Sequence, residues 1–177
     1  MDVSPFVESP IQVVKKMLQL AEPKPGEILY DMGSGDGRIL IIAAKEFNLR
    51  CVGIEIRQDL FKRSLDEVKR LNLEDRIKII NADFFNVNIS DADIVTLYLN
   101  SSANEKLRPK LEKELKVGTR VVSHDYEIKG WMPTKVVRND PIGHNIYLYV
   151  FDPPRIFLQS SSKVSHPEIG HRLPGIF

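Results

Sequence analysis

A chain of 177 residues is the size of one domain and long enough to bury a proper core. Its balance of 42% hydrophobic and 28% charged residues, with a formal net charge of +1, is that of an ordinary soluble globular protein. That charge gives no argument for a nucleic-acid or membrane partner and leaves a local basic patch open, and a single cysteine, Cys51, excludes an intramolecular disulfide and a cysteine-rich zinc site.

Ser9 and Pro10 open the first helix, IQVVKKMLQLA, with Ser9 as its N-cap and Pro10 in the first helical position. Val13, Val14, Met17, Leu18 and Ala21 recur at helical spacing and form its buried side. EPKPG (22–26) ends the helix. EILYDM (27–32) is a short apolar strand, RILIIAAKEF (38–47) a helix, and RCVGIEI (50–56) a second strand that buries Cys51 as a core thiol. DLFKRSLDEVKRLNL (59–73) is an amphipathic helix with Leu60, Phe61, Leu65, Val68 and Leu71 inward. IKIINADFF (77–85) and DIVTLYL (93–99) are the third and fourth strands. NEKLRPKLEKELK (104–116) reads as a helix with a solvated face of alternating charge, and Pro109 marks a kink or its first turn. TRVVSHDYEI (119–128) is the fifth strand; KVVRND (135–140) and NIYLYVF (145–151) are two more, joined by a short turn.

Strand and helix alternate from residue 27 to 124, which predicts βαβ units and a parallel sheet covered on both faces. The turn between the last two strands is too short for a parallel crossover, so they pair antiparallel. The polar stretch from Pro153 onward shows no period; it reads as an extension, with His166 and His171 solvated. The expected organisation is one domain over residues 1–152 and an extension over 153–177. MDVSPFVESP has no basic-then-apolar signal region and no apolar run approaches the ~20 residues that span a bilayer, so a cytoplasmic location is expected.

YDMGSGDGRI (30–39) raises the functional question. Gly33, Gly35 and Gly37 lie between the first strand and its helix, where open parallel sheets bind ligands. The loop ends in Gly-Arg-Ile, which excludes the phosphate-cradling loop with its Gly-Lys-Ser/Thr. The third glycine arrives one residue early for the dinucleotide fingerprint G-x-G-x-x-G. Glu55, at the end of the second strand, is placed to accept from both hydroxyls of a ribose. Asp83, at the end of the third, is placed to accept from an adenine amino group, with Phe84 and Phe85 beside it to cover a ring. Asp31, Glu55 and Asp83 at three successive strand ends make a joint signal for an adenosyl ligand.

The acid before the loop, the G-x-G-x-G spacing and the terminal hairpin resemble the class I S-adenosylmethionine-dependent methyltransferases. The resemblance implies an α/β, Rossmann-like seven-stranded methyltransferase fold, with a mostly parallel sheet, an antiparallel C-terminal hairpin and helices on both faces. It implies S-adenosylmethionine as cofactor. Asp31 then lies near the cofactor amino group, Gly33, Ser34, Gly35 and Asp36 form the wall along its methionine portion, Glu55 takes the ribose, and Asp83 with Phe84 takes the adenine. The fourth strand carries TLYLNSSAN (96–104) in place of the Asn/Asp-Pro-Pro-aromatic of amino-group methylases of DNA bases, and no cysteine stands there for a covalent route to a pyrimidine carbon.

PFVESP, DMGSGDGR, NADFF, LYLNSSANEKLRPKLEKELKVGTRVVSHDYEIKGW and NIYLYVF together are similar to the small archaeal protein-lysine methyltransferases, and more distantly to the non-SET histone-lysine methyltransferases. The larger histone enzymes have Asn-Asn-Phe where this chain has Tyr98-Leu99-Asn100. The resemblance implies methyl transfer to lysine ε-amines of proteins, basic chromatin proteins among the candidates. It makes PFVES a flap over the cofactor, with Phe6 and Ser9 near it, and gives Tyr98 and Asn100 the catalytic place. Tyr98 then lines a channel and Asn100 orients the amine; an ordinary strand aromatic and a helix N-cap are the other readings of the same residues. Trp131 fits packing or recognition, and His124 a structural role. An RNA or small-molecule methyltransferase, or a cofactor-binding subunit without turnover, are the competing functions. No membrane partner is expected, and direct nucleic-acid binding is not indicated.

Overall fold

The computed structural model describes residues 6–138 and 141–153. Residues 154–177, which hold His166, His171 and nearly all of the expected extension, lie outside the described residues.

The described chain alternates as expected: α1 (Ile11–Leu20), β1 (Ile28–Met32), α2 (Arg38–Phe47), β2 (Arg50–Glu55), α3 (Gln58–Arg70), β3 (Ile77–Asn81), β4 (Ile94–Leu97), α4 (Ser101–Glu114), β5 (Arg120–His124), β6 (Lys135–Val137) and β7 (Ile146–Val150). A 3-10 turn, Phe84–Asn86, follows β3. The sheet runs β3-β2-β1-β4-β5-β7-β6. β1 to β5 are parallel, and β7 enters antiparallel between β5 and β6. Strand order reverses direction between β1 and β4, and a crevice outside the carboxyl ends of the strands opens at such a switch point.

Apolar periodicity explains the two core layers. Val13, Val14, Met17 and Leu18 of α1, Leu40 and Ala43 of α2 and Val68 of α3 pack on one face of the sheet. Leu107 and Leu111 of α4 pack on the other with Met32, Val95, Leu97 and Tyr149. The buried stripe of α3 is narrower than its leucines suggest. Leu60, Ser64 and Val68 are buried while Phe61, Leu65 and Leu71 are half-buried. Ser64 sits where a Cβ at Gly37 would come within 3.2 Å of its own, so a small side chain is needed at the crossing.

Two local readings are corrected. Ser9 does not cap α1: Pro10 holds the N-cap position without a side-chain bond, and the Ser9 hydroxyl meets His124 Nδ1 at 3.0 Å instead. α4 starts three residues earlier than its charge pattern implies, because the Asn100 side chain accepts from Ala103 N–H at 2.8 Å and caps it. Pro109 therefore lies in the interior of a continuous helix, not in its first turn. Of that helix's charge pairs, Arg108–Glu112 is partly exposed as expected, whereas Lys110–Glu114 is largely buried: Lys110 Nζ also donates to the Val87 carbonyl and Glu114 Oε2 accepts Ile89 N–H. Trp131 is a packing residue: its ring lies against Tyr149 and Phe151, and its indole N–H donates to Glu112. Cys51 is a buried thiol, pushed up to about 12 chiefly by burial and further by Asp31.

Candidate active site

The strand ends β1, β2 and β4 surround a cavity of about 360 Å³. All twelve residues singled out in the sequence line it: Phe6 and Ser9 from the N-terminal segment, Asp31 to Asp36 with the exception of Met32, Glu55, Asp83 with Phe84, and Tyr98 with Asn100.

Strand register brings the acids in. Asp31 of β1 stands opposite Thr96 of β4, and the Thr96 hydroxyl donates to Asp31 Oδ1 at 2.8 Å. The carboxyl is fully buried. Burial pushes its pKa up to about 7; the Thr96 bond pulls the other way, and the charges of Glu55 and Asp36 add to the rise. Glu55 closes β2 and clamps the glycine loop: Oε2 accepts Gly35 N–H and Oε1 accepts Arg57 N–H, both at 2.8 Å. Each oxygen keeps a second lone pair for a further donor, and Glu55 lines the cavity.

The glycine loop is built for close approach. Gly33, Gly35 and Gly37 all have positive φ, which an L side chain rarely adopts. A Cβ at Gly35 would come within 2.3 Å of Phe6 Cε2, so the ring rests directly on the loop backbone. Ser34 turns its side chain back toward β2, where a Cβ at Gly53 would lie 2.6 Å from its hydroxyl oxygen. That buried hydroxyl has no hydrogen-bond partner among the described residues.

Asp36 does more than form a wall. Its carboxylate pairs with the Arg38 guanidinium at 2.6 Å and accepts the Arg38 backbone N–H. Partial burial alone would raise its pKa, but Arg38 and the more distant Arg63 hold it below the ordinary carboxylate range. The same guanidinium donates to the Ser9 carbonyl at 3.0 Å and pairs with Glu8 at 2.8 Å. Arg38, read in the sequence only as part of the Gly-Arg-Ile that excludes a phosphate-cradling loop, pins the N-terminal segment to the loop.

Asp83 lies past the end of β3, which stops at Asn81, and one of its oxygens caps the 3-10 turn through Phe85 N–H at 3.0 Å. Phe84 is half-buried and Phe85 exposed; both line the cavity. Tyr98 follows β4 and stacks on the buried His124 ring, with centroids 3.8 Å apart. Burial, then the negative charge of Asp125, raise its phenol, so it is a neutral hydroxyl at physiological pH. Asn100 uses one lone pair of its side-chain oxygen for the helix cap, which leaves the second lone pair and the amide for other partners. Leu99, Ser102, Ala103 and Lys106 were missed in the sequence and line the same wall. Ser102, Ala103 and Lys106 fall on one helix face, legible once Asn100 is read as the cap, and Leu99 lies in the turn before it.

The residues fit S-adenosylmethionine. Two buried carboxylates, Asp31 and Glu55, look into a cavity with an apolar side formed by Phe6, Ile56, Leu60 and Phe84, and a backbone without Cβ atoms at Gly33 and Gly35 admits a ligand closely. Fold and site together define a class I S-adenosylmethionine-dependent methyltransferase.

Known proteins agree. Residues 31–135 match the ANTKMT methyltransferase domain family. A protein-lysine N-methyltransferase of Saccharolobus islandicus (strain REY15A) is 46% identical over 149 residues, covering 82% of this chain and 92% of that protein. The mouse adenine nucleotide translocase lysine N-methyltransferase is 33% identical over 134 residues, 75% of this chain but 58% of that longer protein. A crystal structure described as an RNA methyltransferase from Salinibacter ruber in complex with S-adenosyl-L-homocysteine matches with a TM-score of 0.80 at 43% identity, covering 85% of this chain and 96% of that one. The chain belongs to the ANTKMT methyltransferase domain family, and its cofactor is S-adenosylmethionine.

Proposed function

We propose that the acceptor is an exposed lysine of a protein substrate, basic chromatin proteins among the candidates, delivered past Tyr98 and Asn100, and that the enzyme works in the cytoplasm. What supports this reading is the position of the turn after β4: Tyr98 and Asn100 line the same cavity as Asp31 and Glu55. An amine that enters along that turn arrives beside the ligand held by those acids.

When bound, S-adenosylmethionine supplies an activated methyl group on a positively charged sulfur, and that charge favours the neutral form of a nearby amine. A free lysine has a pKa near ~10.4, so deprotonation at neutral pH costs about 4–5 kcal/mol. Solvent takes the proton before the amine enters. Tyr98, neutral and stacked on His124, gives the channel a rigid wall. The remaining lone pair of Asn100 accepts an N–H of the neutral amine and aims its lone pair. Asp31 and Glu55 hold the amino and ribose portions of the cofactor, Asp83 and Phe84 the adenine, and Phe6 covers the loop. Positioning of this kind removes much of the barrier without a dedicated base.

The resemblance to the Salinibacter structure described as an RNA methyltransferase makes RNA the second reading. The test is to incubate the purified protein with methyl-labelled S-adenosylmethionine, a mixture of basic chromatin proteins, and RNA, and to locate the label by mass spectrometry. Label on lysine side chains that disappears with Glu55→Ala supports the proposal. Label in RNA alone overturns it.

A further inference from the structure

Beside the methyltransfer cavity lies a second cluster, of which the proposed reaction uses only the His124 ring that backs Tyr98. β5 and β7 pair antiparallel, with His124 opposite Ile146, and their ends bring His124, Asp125 and His144 together although 20 residues separate the two histidines. His124 Nε2 lies 2.9 Å from His144 Nδ1, and His144 Nδ1 lies 2.9 Å from Asp125 Oδ2. The third edge, His124 Nε2 to Asp125 Oδ2, is 3.4 Å. We propose that these three atoms bind one divalent transition ion, zinc in the first instance.

The dimensions fit a metal triangle. Zinc takes nitrogen and carboxylate oxygen at about 2.0–2.2 Å, which separates neighbouring ligand atoms by roughly 2.8–3.1 Å in octahedral and about 3.3–3.6 Å in tetrahedral geometry. Two observed edges match the first range and the third the second, so an ion enters with shifts of a few tenths of an ångström. Two imidazole nitrogens and one carboxylate suit zinc, cobalt, nickel or ferrous ion, not magnesium or calcium. A proton placed inside the triangle bridges one edge at a time, whereas a cation is shared by all three atoms.

The surroundings have the form of an outer shell. His124 meets the Ser9 hydroxyl through its other nitrogen, Nδ1, at 3.0 Å. With the proton on Nδ1, the Nε2 lone pair faces the triangle, the tautomer a metal ligand needs. Asn145 N–H donates to Asp125 Oδ1 at 2.8 Å and so orients Oδ2 inward. Asp125 holds a backbone φ of 60°, a conformation aspartate tolerates at a cost. His124 is fully buried, and the other two are partly accessible, which gives an ion a way in.

The ion would also couple to methyl transfer. His124 carries both the Ser9 contact and the Tyr98 stack, and both of those residues line the cofactor cavity. A bound ion fixes the His124 ring and so stiffens the N-terminal segment and the channel wall together.

The experiment uses the full chain without a histidine tag, stripped with chelator, then titrated with Zn²⁺ by calorimetry and with Co²⁺ by visible absorption. The chain has four histidines, so a His166→Gln/His171→Gln variant serves as reference. Expected are one ion per chain in that reference, a Co²⁺ absorption band, and a Tm raised by about 5–10 °C at a hundredfold excess over Kd. Asp125→Asn, which keeps an acceptor for Asn145 N–H, and His144→Ala should each weaken binding by at least about tenfold. Should His144→Ala fail to fold, Asp125→Asn alone decides. No binding in the reference variant, or unchanged affinity in Asp125→Asn, overturns the proposal.

Discussion

The Phe6 ring rests on Gly35, in space that a side chain at position 35 would need. Gly35 has a φ of 54°, and its N–H is held by Glu55. Alanine there meets both a left-handed backbone, a penalty of roughly 1–2 kcal/mol, and the ring. Gly35→Ala should weaken S-adenosylhomocysteine binding by at least about tenfold, the factor that about 1.4 kcal/mol represents. Adding Phe6→Ala should recover only part of the loss, because it relieves the clash and leaves the strained φ. Calorimetric titration of the two variants checks this; full recovery in the double variant would show that the backbone conformation is unimportant.

Asp31 sets a pH dependence. Its folded pKa is raised from 3.8 to about 7, chiefly by burial. The folded chain therefore holds a proton that the unfolded chain has already released between those values. The stability this contributes is full below 3.8 and is lost as pH rises through about 7. The cofactor's cationic amino group prefers the ionised carboxylate, so its affinity should rise across the same upper limit, with proton release on binding near neutral pH. Asp31→Asn should abolish the proton release, raise the melting temperature of the ligand-free protein at pH 8, and weaken cofactor binding. Calorimetry in buffers of different ionisation enthalpy reads the proton directly; equal heats across buffers would contradict the assignment.

The glycine loop and the acids at the strand ends were legible in the sequence because local chemistry dictates them. Three glycines at alternate positions and a carboxylate closing an apolar run announce a ligand turn without any knowledge of strand order. The Asp31–Thr96 bond was not legible, since it depends on β1 lying beside β4, a pairing between residues 65 apart. The His124–His144 contact was hidden for the same reason: β7 must insert between β5 and β6. Ser9 was misread as a cap because a serine before a proline and an apolar helix has the local signature of one. A buried histidine from a distant strand outcompeted that local role.

Arg38 joins loop and segment, so its loss should act on the cofactor before chemistry. Its guanidinium reaches Asp36, Glu8 and the Ser9 carbonyl. Arg38→Ala should raise the KM for S-adenosylmethionine several-fold and leave kcat at saturating cofactor within about twofold, the pattern of lost uniform binding. Arg38→Lys should recover part of the effect, as a point charge replaces a planar fork. Steady-state kinetics separate the two parameters, and a fall in kcat with KM unchanged would place Arg38 in the chemical step instead.

Asn100 offers a test that divides a cap from an amine-orienting group. Its side-chain oxygen accepts from Ala103 N–H, and the residue also lines the cavity. Serine caps a helix about as well as asparagine, whereas alanine costs about 1 kcal/mol. Asn100→Ser should therefore keep the melting temperature of the parent, and Asn100→Ala should lower it by about 2–4 °C. If the second lone pair aims the lysine amine, both variants lose turnover by at least about tenfold, since misplacement at the reacting centre is costly. Cofactor affinity stays unchanged in Asn100→Ser, so the loss appears in kcat alone. Parent-like turnover in Asn100→Ser would reduce Asn100 to a cap and leave the orientation of the amine to Tyr98 and the backbone of the same turn.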